Sequence, residues 1–229
     1  MVECRVISIG TLAENPLWGE QQPVRTGHAT TTLVRTGKRL IVVDPGLPDQ
    51  IIGARFGERT GLKASMVTDV FLTRFHPDCR RGITAFSSAE WWISEVEREA
   101  VGVPLARQLA AIAAEDEVDA ELQASFEREI ALLQRCKPAP DQFADHVSLF
   151  PLPGVTPGLT GLLLEQPRFT TLICGDAVAT AEHLERGQVL QGAIDVERAR
   201  ESFSEAVEIA DMLVLGRDNL TSNPTKRPF

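Results

Sequence analysis

The chain has 229 residues, of which 43% are hydrophobic and 24% are charged, as is usual for a globular protein that can bury a full core. Its formal net charge of −9 disfavours nucleic acid as a partner, because a polyanion would be repelled. No apolar run approaches the roughly 18 residues that a membrane span requires, so we expect no membrane partner.

The N-terminal half has the pattern of strands separated by turns. Residues 5–9 and the threonine-rich run 29–34 are rich in β-branched residues, which favour strands. A turn at 36–38 leads into the apolar strand 40–43, which ends at Asp-Pro-Gly. Residues 49–56 are predicted to form a short helix closed by Gly57. The run 70–72 predicts another buried strand.

The middle of the chain is predicted to be helical. From Ser94 to Cys136 the composition turns to Ala, Glu, Leu, Arg and Gln, and Pro138 and Pro140 end the segment. An apolar stripe recurs at spacings of three and four, at Val118, Leu122, Phe126, Ile130 and Leu133. We expect it to pack against a sheet or a neighbouring helix. The alternatives are a lid over a site or a homo-oligomer contact.

The second half returns to strands. Runs at 147–152, 159–165 and 169–174 are apolar and are separated by Gly and Pro turns. Residues 195–210 predict an amphipathic helix, and 212–215 a last buried strand. This order suggests two similar halves, each a sheet with helices, that face each other. Because no linker or repeat interrupts the pattern, we expect one domain over 1–229.

The four cysteines suggest a reducing compartment. They lie far apart without a Cys-x-x-Cys pair, at Cys4, Cys79, Cys136 and Cys174. The first residues also lack the charged and apolar regions of a signal peptide. We therefore expect a cytoplasmic protein.

Four short motifs occur in an order that resembles the metallo-β-lactamase superfamily. Residues 73–79 read Thr-Arg-Phe-His-Pro-Asp-Cys, where the family has Thr-His-x-His-x-Asp-His. Residues 156–160 read Thr-Pro-Gly-Leu-Thr, similar to Thr-Pro-Gly-His-Thr. Residues 174–177 resemble the family's Gly-Asp element, and 215–219 its terminal Gly-His element with arginine in the place of histidine.

The resemblance implies an α/β fold, the four-layer αββα sandwich of this family, with a helical insertion around 94–137. It also implies a degenerate metal site. In the family two zinc ions activate a water molecule. The ligand positions of the first ion correspond to Arg74, His76 and Leu159. Those of the second correspond to Asp78, Cys79, Asp176 and Arg217.

The two arginines at these positions favour a site without metal. A guanidinium cannot be deprotonated in a protein and cannot ligate a metal ion. Arg74 and Arg217 would balance the charges of Asp78 and Asp176, so no cofactor is favoured. The alternative is zinc or another divalent ion held by Asp78, Cys79 and Asp176, assisted by His76.

Three functions stay open at this stage. The first is a non-hydrolytic binding or regulatory module for a small polar or anionic ligand. Its pocket is predicted to be lined by Arg74, His76, Asp78, Cys79, Leu159, Asp176 and Arg217. The second is a hydrolase of esters, thioesters or lactones with a remodelled mononuclear metal site. The third is a metal-free enzyme with Cys79 as nucleophile and His76 as base.

Each candidate also has a structural interpretation. His76 is expected to be hydrogen-bonded to Asp176 or to backbone, and Cys79 to fill a half-buried space. Arg80 and Arg81 could lower the pKa of the Cys79 thiol. These two arginines are expected either to be exposed at a helix start or to join an anion-binding pocket.

Overall fold

The computed structural model describes residues 1–114 and 119–226, and within them twelve strands form two six-stranded sheets. The strands of the first sheet are β1 Val2–Ser8, β2 Thr31–Thr36, β3 Arg39–Val43, β4 Asp69–Leu72, β5 Glu90–Ile93 and β6 Cys136–Pro138. Those of the second are β7 Gln142–Ala144, β8 Val147–Pro151, β9 Thr160–Glu165, β10 Thr170–Ile173, β11 Met212–Val214 and β12 Leu220–Ser222.

Strand direction divides each sheet into hairpins and parallel crossovers. In the first sheet β1 to β3 are antiparallel neighbours, and β3 to β6 run parallel. In the second sheet β10 and β11 are parallel, while the other neighbours are antiparallel. Parallel neighbours need crossover connections, which the helices supply. The helices are α1 Asp49–Thr60, α2 Pro77–Arg80, α3 Glu95–Ile112, α4 Ala120–Arg135, α5 Ala181–Arg186 and α6 Val196–Ile209.

Three apolar clusters define the four layers. Val34 and Phe71 of the first sheet pack with Leu164 and Ile173 of the second, so the two sheets face each other. A second cluster joins α1, α3 and α4 to the outer face of the first sheet. The third joins α5 and α6 to the outer face of the second sheet. The αββα sandwich expected from the sequence is therefore confirmed.

The helical middle differs from the expectation. The composition predicted helix from Ser94 to Cys136, and the structure has two separate helices, α3 and α4, with Cys136 already in β6. The predicted stripe lies on α4 except for Val118, which falls outside the described residues. Leu133 is buried against α3 and the first sheet, whereas Leu122 is exposed. The stripe thus packs as expected only towards its C-terminal end.

The end of α1 was also predicted wrongly. The helix continues past Gly57 for a further turn, and Gly61 ends it with a φ of 71°. Gly61 can adopt this left-handed conformation without steric cost, as is common after a helix C-terminus. Over the described ranges, no helix is long and apolar enough to cross a membrane.

Candidate functional site

The loops that carry the predicted site residues meet at one edge of the sandwich. Four of these residues follow β4, in the stretch 74–79 that leads into α2. Asp176 follows β10, and Arg217 follows β11. Since β10 and β11 are parallel neighbours, their C-terminal ends bring Asp176 and Arg217 side by side.

A buried carboxyl group, that of Asp44, holds the loop after β4 in place. It accepts hydrogen bonds from the backbone N–H of Thr73 at 2.9 Å and from its hydroxyl at 2.6 Å. The adjoining turn passes so close to α2 that a Cβ on Gly46 would lie 2.2 Å from the carbonyl oxygen of Asp78. Only glycine fits at this point, so the turn after β3 fixes the position of Asp78.

Arg217 binds two carboxylates at once. Its Nε and Nη2 donate to the two oxygens of Asp176 at 2.7 and 2.9 Å, a bidentate arrangement. Its Nη1 donates to Oδ2 of Asp78 at 2.9 Å. Arg217 is 4% exposed and Asp176 only 2%. Every nitrogen of this guanidinium is therefore engaged in the interior.

Arg74 provides a second cation for the same carboxylate. Its Nη2 lies 2.5 Å from Oδ2 of Asp176. Burial by itself raises the pKa of Asp176, but the charges of Arg217 and Arg74 outweigh it and hold that pKa well below its usual range. Burial likewise opposes the charge of Arg217, yet Asp176 drives the pKa of that guanidinium upward. Asp176, Arg217 and Arg74 are therefore ionised at neutral pH.

Arg80 and Arg81 serve different purposes, and neither expectation for the pair holds as stated. Arg80 is buried, stacks 4.3 Å from the ring centroid of Phe75 and forms an ion pair with Glu129 of α4. Arg81 is half-buried, and its Nη2 donates to Oδ1 of Asp78 at 3.1 Å. Arg81 thus joins the charge cluster, while Arg80 ties α2 to α4.

His76 has a structural partner in the backbone, one of the two arrangements expected. Its Nδ1 accepts a hydrogen bond from the N–H of Asp78 at 3.2 Å and so caps the start of α2. Burial and then the nearby charge of Arg74 lower the pKa of His76. The imidazole is accordingly neutral at pH 7, with its proton on Nε2 when Nδ1 accepts.

Cys79 is more deeply buried than the half-buried filler that was expected, and the alternative of a lowered thiol pKa is wrong. Cys79 is fully buried, and burial raises the pKa of its thiol strongly despite the charge of Arg74. The guanidinium of Arg80 is committed to Glu129 and does not offset this burial. A nucleophilic thiolate at this position would be energetically disfavoured. Leu159 is also fully buried and lies in the third apolar cluster, so it offers no donor atom.

The carboxylates at the predicted metal-ligand positions are engaged with arginines. Among the described residues, no group of three or more His, Cys, Asp or Glu side chains is placed to hold one. Both oxygens of Asp176 accept from Arg217, and the oxygens of Asp78 accept from Arg217 and Arg81. A zinc ion would have to displace several guanidinium contacts and then lie next to their positive charges.

A cavity of about 500 Å³ opens above this cluster. Arg74, Asp78, Arg217 and His183 line it, and Glu14, Gln188 and Gln191 are further polar lining residues. Two chain segments, 12–17 and 188–192, form its walls. Such a volume is in the range of small-molecule sites.

Two residues of this region were not among the predicted site residues. Asp44 was recognised in the sequence as part of the Asp-x-Gly element that ends a buried strand, but it was not included among the site residues. His183 had no motif around it. It is buried, lines the cavity and is hydrogen-bonded through Nδ1 to the hydroxyl of Thr180 at 2.9 Å.

Comparison with protein families gives one match. The model of the metallo-beta-lactamase superfamily matches residues 24–213. A search of curated protein sequences found no match.

Solved structures share the fold at low sequence identity. A metallo-beta-lactamase-like protein from Thermotoga maritima has a TM-score of 0.66 and 17% identity, covering 96% of this chain and 99% of its own. A quorum-quenching N-acyl homoserine lactone lactonase has a TM-score of 0.62 and 18% identity, covering 100% and 95%. The dizinc quorum-quenching lactonase AidC has a TM-score of 0.59 and 20% identity, covering 79% and 67%.

Proposed function

Because the chain belongs to the metallo-beta-lactamase superfamily, whose members include metal-dependent hydrolases, we propose that it is a member that works without a metal ion. It binds a small polar or anionic ligand in the cavity above Arg74 and Arg217 and does not hydrolyse it. The observation that carries this proposal is the pairing of both arginines with Asp176 inside the site.

The energetics of buried ion pairs support a metal-free site. Removing one partner of such a pair costs about 3–5 kcal/mol, because the other charge is left buried and unpaired. Zinc binding at Asp176 would separate this carboxylate from two buried guanidinium groups. It would also place a divalent cation beside them, and neither arginine can lose its charge.

A remodelled hydrolytic site on Asp78, Cys79, Asp176 and His76 has less support. Such a site needs the thiolate of Cys79, and burial opposes its formation. It also needs a free lone pair on His76, whose Nδ1 already caps α2. Zinc-dependent hydrolysis of esters, thioesters or lactones is therefore the outcome that would contradict the proposal.

Elemental analysis tests the proposal directly. We expect protein produced with added zinc and purified without chelator to hold far less than one zinc per chain. A variant with Arg74→His, Cys79→His, Leu159→His and Arg217→His should acquire zinc if the backbone keeps the family geometry. The matched control carries alanine at the same four positions and should remain without metal.

The two possible results separate the functions. Stoichiometric zinc in the unaltered protein, together with hydrolysis that chelators abolish, would favour the mononuclear hydrolase. If the unaltered protein lacks zinc and only the four-histidine variant takes it up, the result supports the proposal that the two arginines replace the metal ions of the family.

A further inference from the structure

From the cavity above the ion cluster we infer a specific ligand class: a carboxylate carried on a short hydrocarbon chain. The negative group is bound at Arg74, and the chain lies between the segments 12–17 and 188–192. The inference rests on the proposed function, since it requires Asp78 and Asp176 to be paired with arginines instead of a metal ion.

Arg74 is the arginine of this cluster with a donor left over. Among the described residues, none accepts a hydrogen bond from its buried Nε. Its neighbour, the Cys79 thiol, is a weak acceptor. Arg217 donates hydrogen bonds from all three nitrogens to Asp78 and Asp176. Arg81 donates to Asp78 and to backbone carbonyls. Arg74 also lines the cavity, and within the described chain the one carboxylate contact of its guanidinium is that of Nη2 with Asp176, so an incoming oxygen can be bound by a terminal nitrogen of Arg74.

The local charges favour one negative charge on the ligand. Arg74, Arg81 and Arg217 carry three positive charges, and Asp78 and Asp176 carry two negative ones. Asp44 lies behind this group, and burial raises its pKa to about 7, so it adds at most part of a charge at neutral pH. Glu14 at the cavity wall and the net charge of −9 disfavour a dianion further.

The walls favour an apolar body on the same ligand. Leu12 and Leu17 of the first segment and Val189 and Leu190 of the second line the cavity, and all four are half-buried. Leu190 also packs against the third apolar cluster, and part of each of the four side chains remains accessible. A hydrocarbon chain placed between them would remove apolar surface from water, and each methylene buried should tighten binding about three- to fourfold.

Calorimetric titration with butyrate, hexanoate and octanoate at pH 7 tests the inference. We expect affinity to rise about three- to fourfold per methylene until the cavity is filled. Octanamide, which has the same chain without the charge, should bind about 10- to 100-fold more weakly than octanoate. Inorganic phosphate should bind at least about tenfold more weakly than octanoate, because it lacks the chain and carries more charge.

Two variants assign the parts of the ligand to parts of the cavity. Arg74→Gln should abolish the preference for octanoate over octanamide, whereas Arg39→Gln, which removes a guanidinium from Asp69 outside the cavity, should keep it. Leu17→Ala, which truncates a half-buried apolar side chain that lines the cavity, should weaken the binding of octanoate about threefold or more and leave the binding of butyrate unchanged. The second variant tests the inference even if Arg74→Gln fails to fold.

Several results would overturn the inference: equal binding of octanoate and octanamide, no dependence on chain length, phosphate binding as tightly as octanoate, or no binding by any carboxylate. Zinc analysis of the same preparation distinguishes the two proposals. If zinc is absent and carboxylates do not bind, only the ligand class fails. If zinc is present at one per chain, the proposed function fails first.

Discussion

At the scale of single residues, Arg217 is the side chain on which the ion cluster depends most. It contacts both Asp78 and Asp176, and it is almost fully buried. We expect Arg217→Met to lower the free energy of unfolding at pH 7 by about 3 kcal/mol, the low end for a broken buried pair, because Arg74 still neutralises Asp176. Urea denaturation measures this loss. The exposed Arg35→Met serves as control and should change stability by less than about 0.5 kcal/mol.

The sign of the pH dependence follows from the depressed pKa of Asp176. Its pairing with the arginines stabilises the fold above the unfolded pKa near 3.9, and this stabilisation is lost as pH falls through the folded value. In Arg217→Met the buried carboxyl takes up a proton more readily. The deficit of the variant should therefore shrink between pH 7 and pH 4. An equal deficit at both pH values would contradict the role assigned to Arg217.

Asp44 should give the opposite dependence. Burial raises its pKa to about 7, so the folded state holds the proton more tightly than the unfolded state does. Its contribution is greatest below the unfolded pKa near 3.9 and declines as pH rises to about 7. We expect Asp44→Asn to remove this decline and to tolerate the left-handed φ of 48°.

Unfolding at pH 4.5 and pH 7.5 checks the prediction for Asp44. The stability of Asp44→Asn relative to the unaltered protein should improve by on the order of 1–3 kcal/mol from the lower to the higher pH. Asp141→Asn, an exposed carboxylate, is the control and should show no such change. A parallel response of Asp44→Asn and the unaltered protein would mean that Asp44 is ionised throughout.

Motif order identified which residues meet, because each motif follows a buried strand and strand ends converge at one edge. Motif order could not show which partner each of these side chains contacts. That His76 caps α2, that Arg80 binds Glu129 and that Cys79 is fully enclosed all depend on packing between distant elements. A single sequence carries no local signal for those contacts.

At the scale of elements, the first turn of α3 connects two of the site loops. Glu97 is buried, and its carboxylate accepts from the N–H of Phe75 at 3.0 Å, the hydroxyl of Thr156 at 2.7 Å and the N–H of Gly158 at 3.1 Å. Ser94 caps the same helix start and donates to the carbonyl of Gly158 at 2.6 Å. The helix start therefore links the loop after β4 to the loop before β9.

Glu97→Gln should weaken this link while keeping the size of the side chain. The amide group of glutamine cannot accept where the second carboxylate oxygen did, so a buried donor is left unpaired, at a cost of about 1–3 kcal/mol. Hydrogen exchange of the Phe75 and Gly158 amides should accelerate more than exchange in α6. Glu95→Gln, a substitution of an exposed residue two positions earlier in the same helix, is the control. Equal effects of the two substitutions would contradict the prediction.

The helix boundaries show where propensity stops being informative. The composition over 94–136 favours helix throughout, so it does not indicate where one helix ends and the next begins. The signal for the second start was present in Asp119, whose side chain accepts from the N–H groups of Glu121 and Leu122 at 3.0 Å each. For α1, two glycines were available as terminators, and the more distant one takes the left-handed conformation.

At the scale of the whole molecule, the alternation of strands and helices suggested two facing halves, each a sheet with helices, and the family resemblance implied the four layers. The apolar run 70–72 is buried, as is 212–215 except for the half-buried Met212, and 195–210 has the stripe of a helix on a sheet. The layers place strand ends at a common edge whatever residues occupy it. This explains how a scaffold associated with metal sites can carry an arginine–aspartate cluster at the same place.

Because the fold does not depend on which residues occupy the site, the effect of zinc on thermal unfolding tests the site itself. A ligand that binds only the folded state at about 100 times its Kd adds about 2.7 kcal/mol of stability. For a chain of this size that corresponds to a rise in Tm of roughly 5–10 °C.

We expect neither zinc nor chelator to move the Tm of the unaltered protein, because Arg74 and Arg217 already neutralise the carboxylates. The variant with histidine at 74, 79, 159 and 217 should start from a lower Tm and regain several degrees with zinc. A zinc-dependent rise of that size in the unaltered protein would show that the arginines give way to metal.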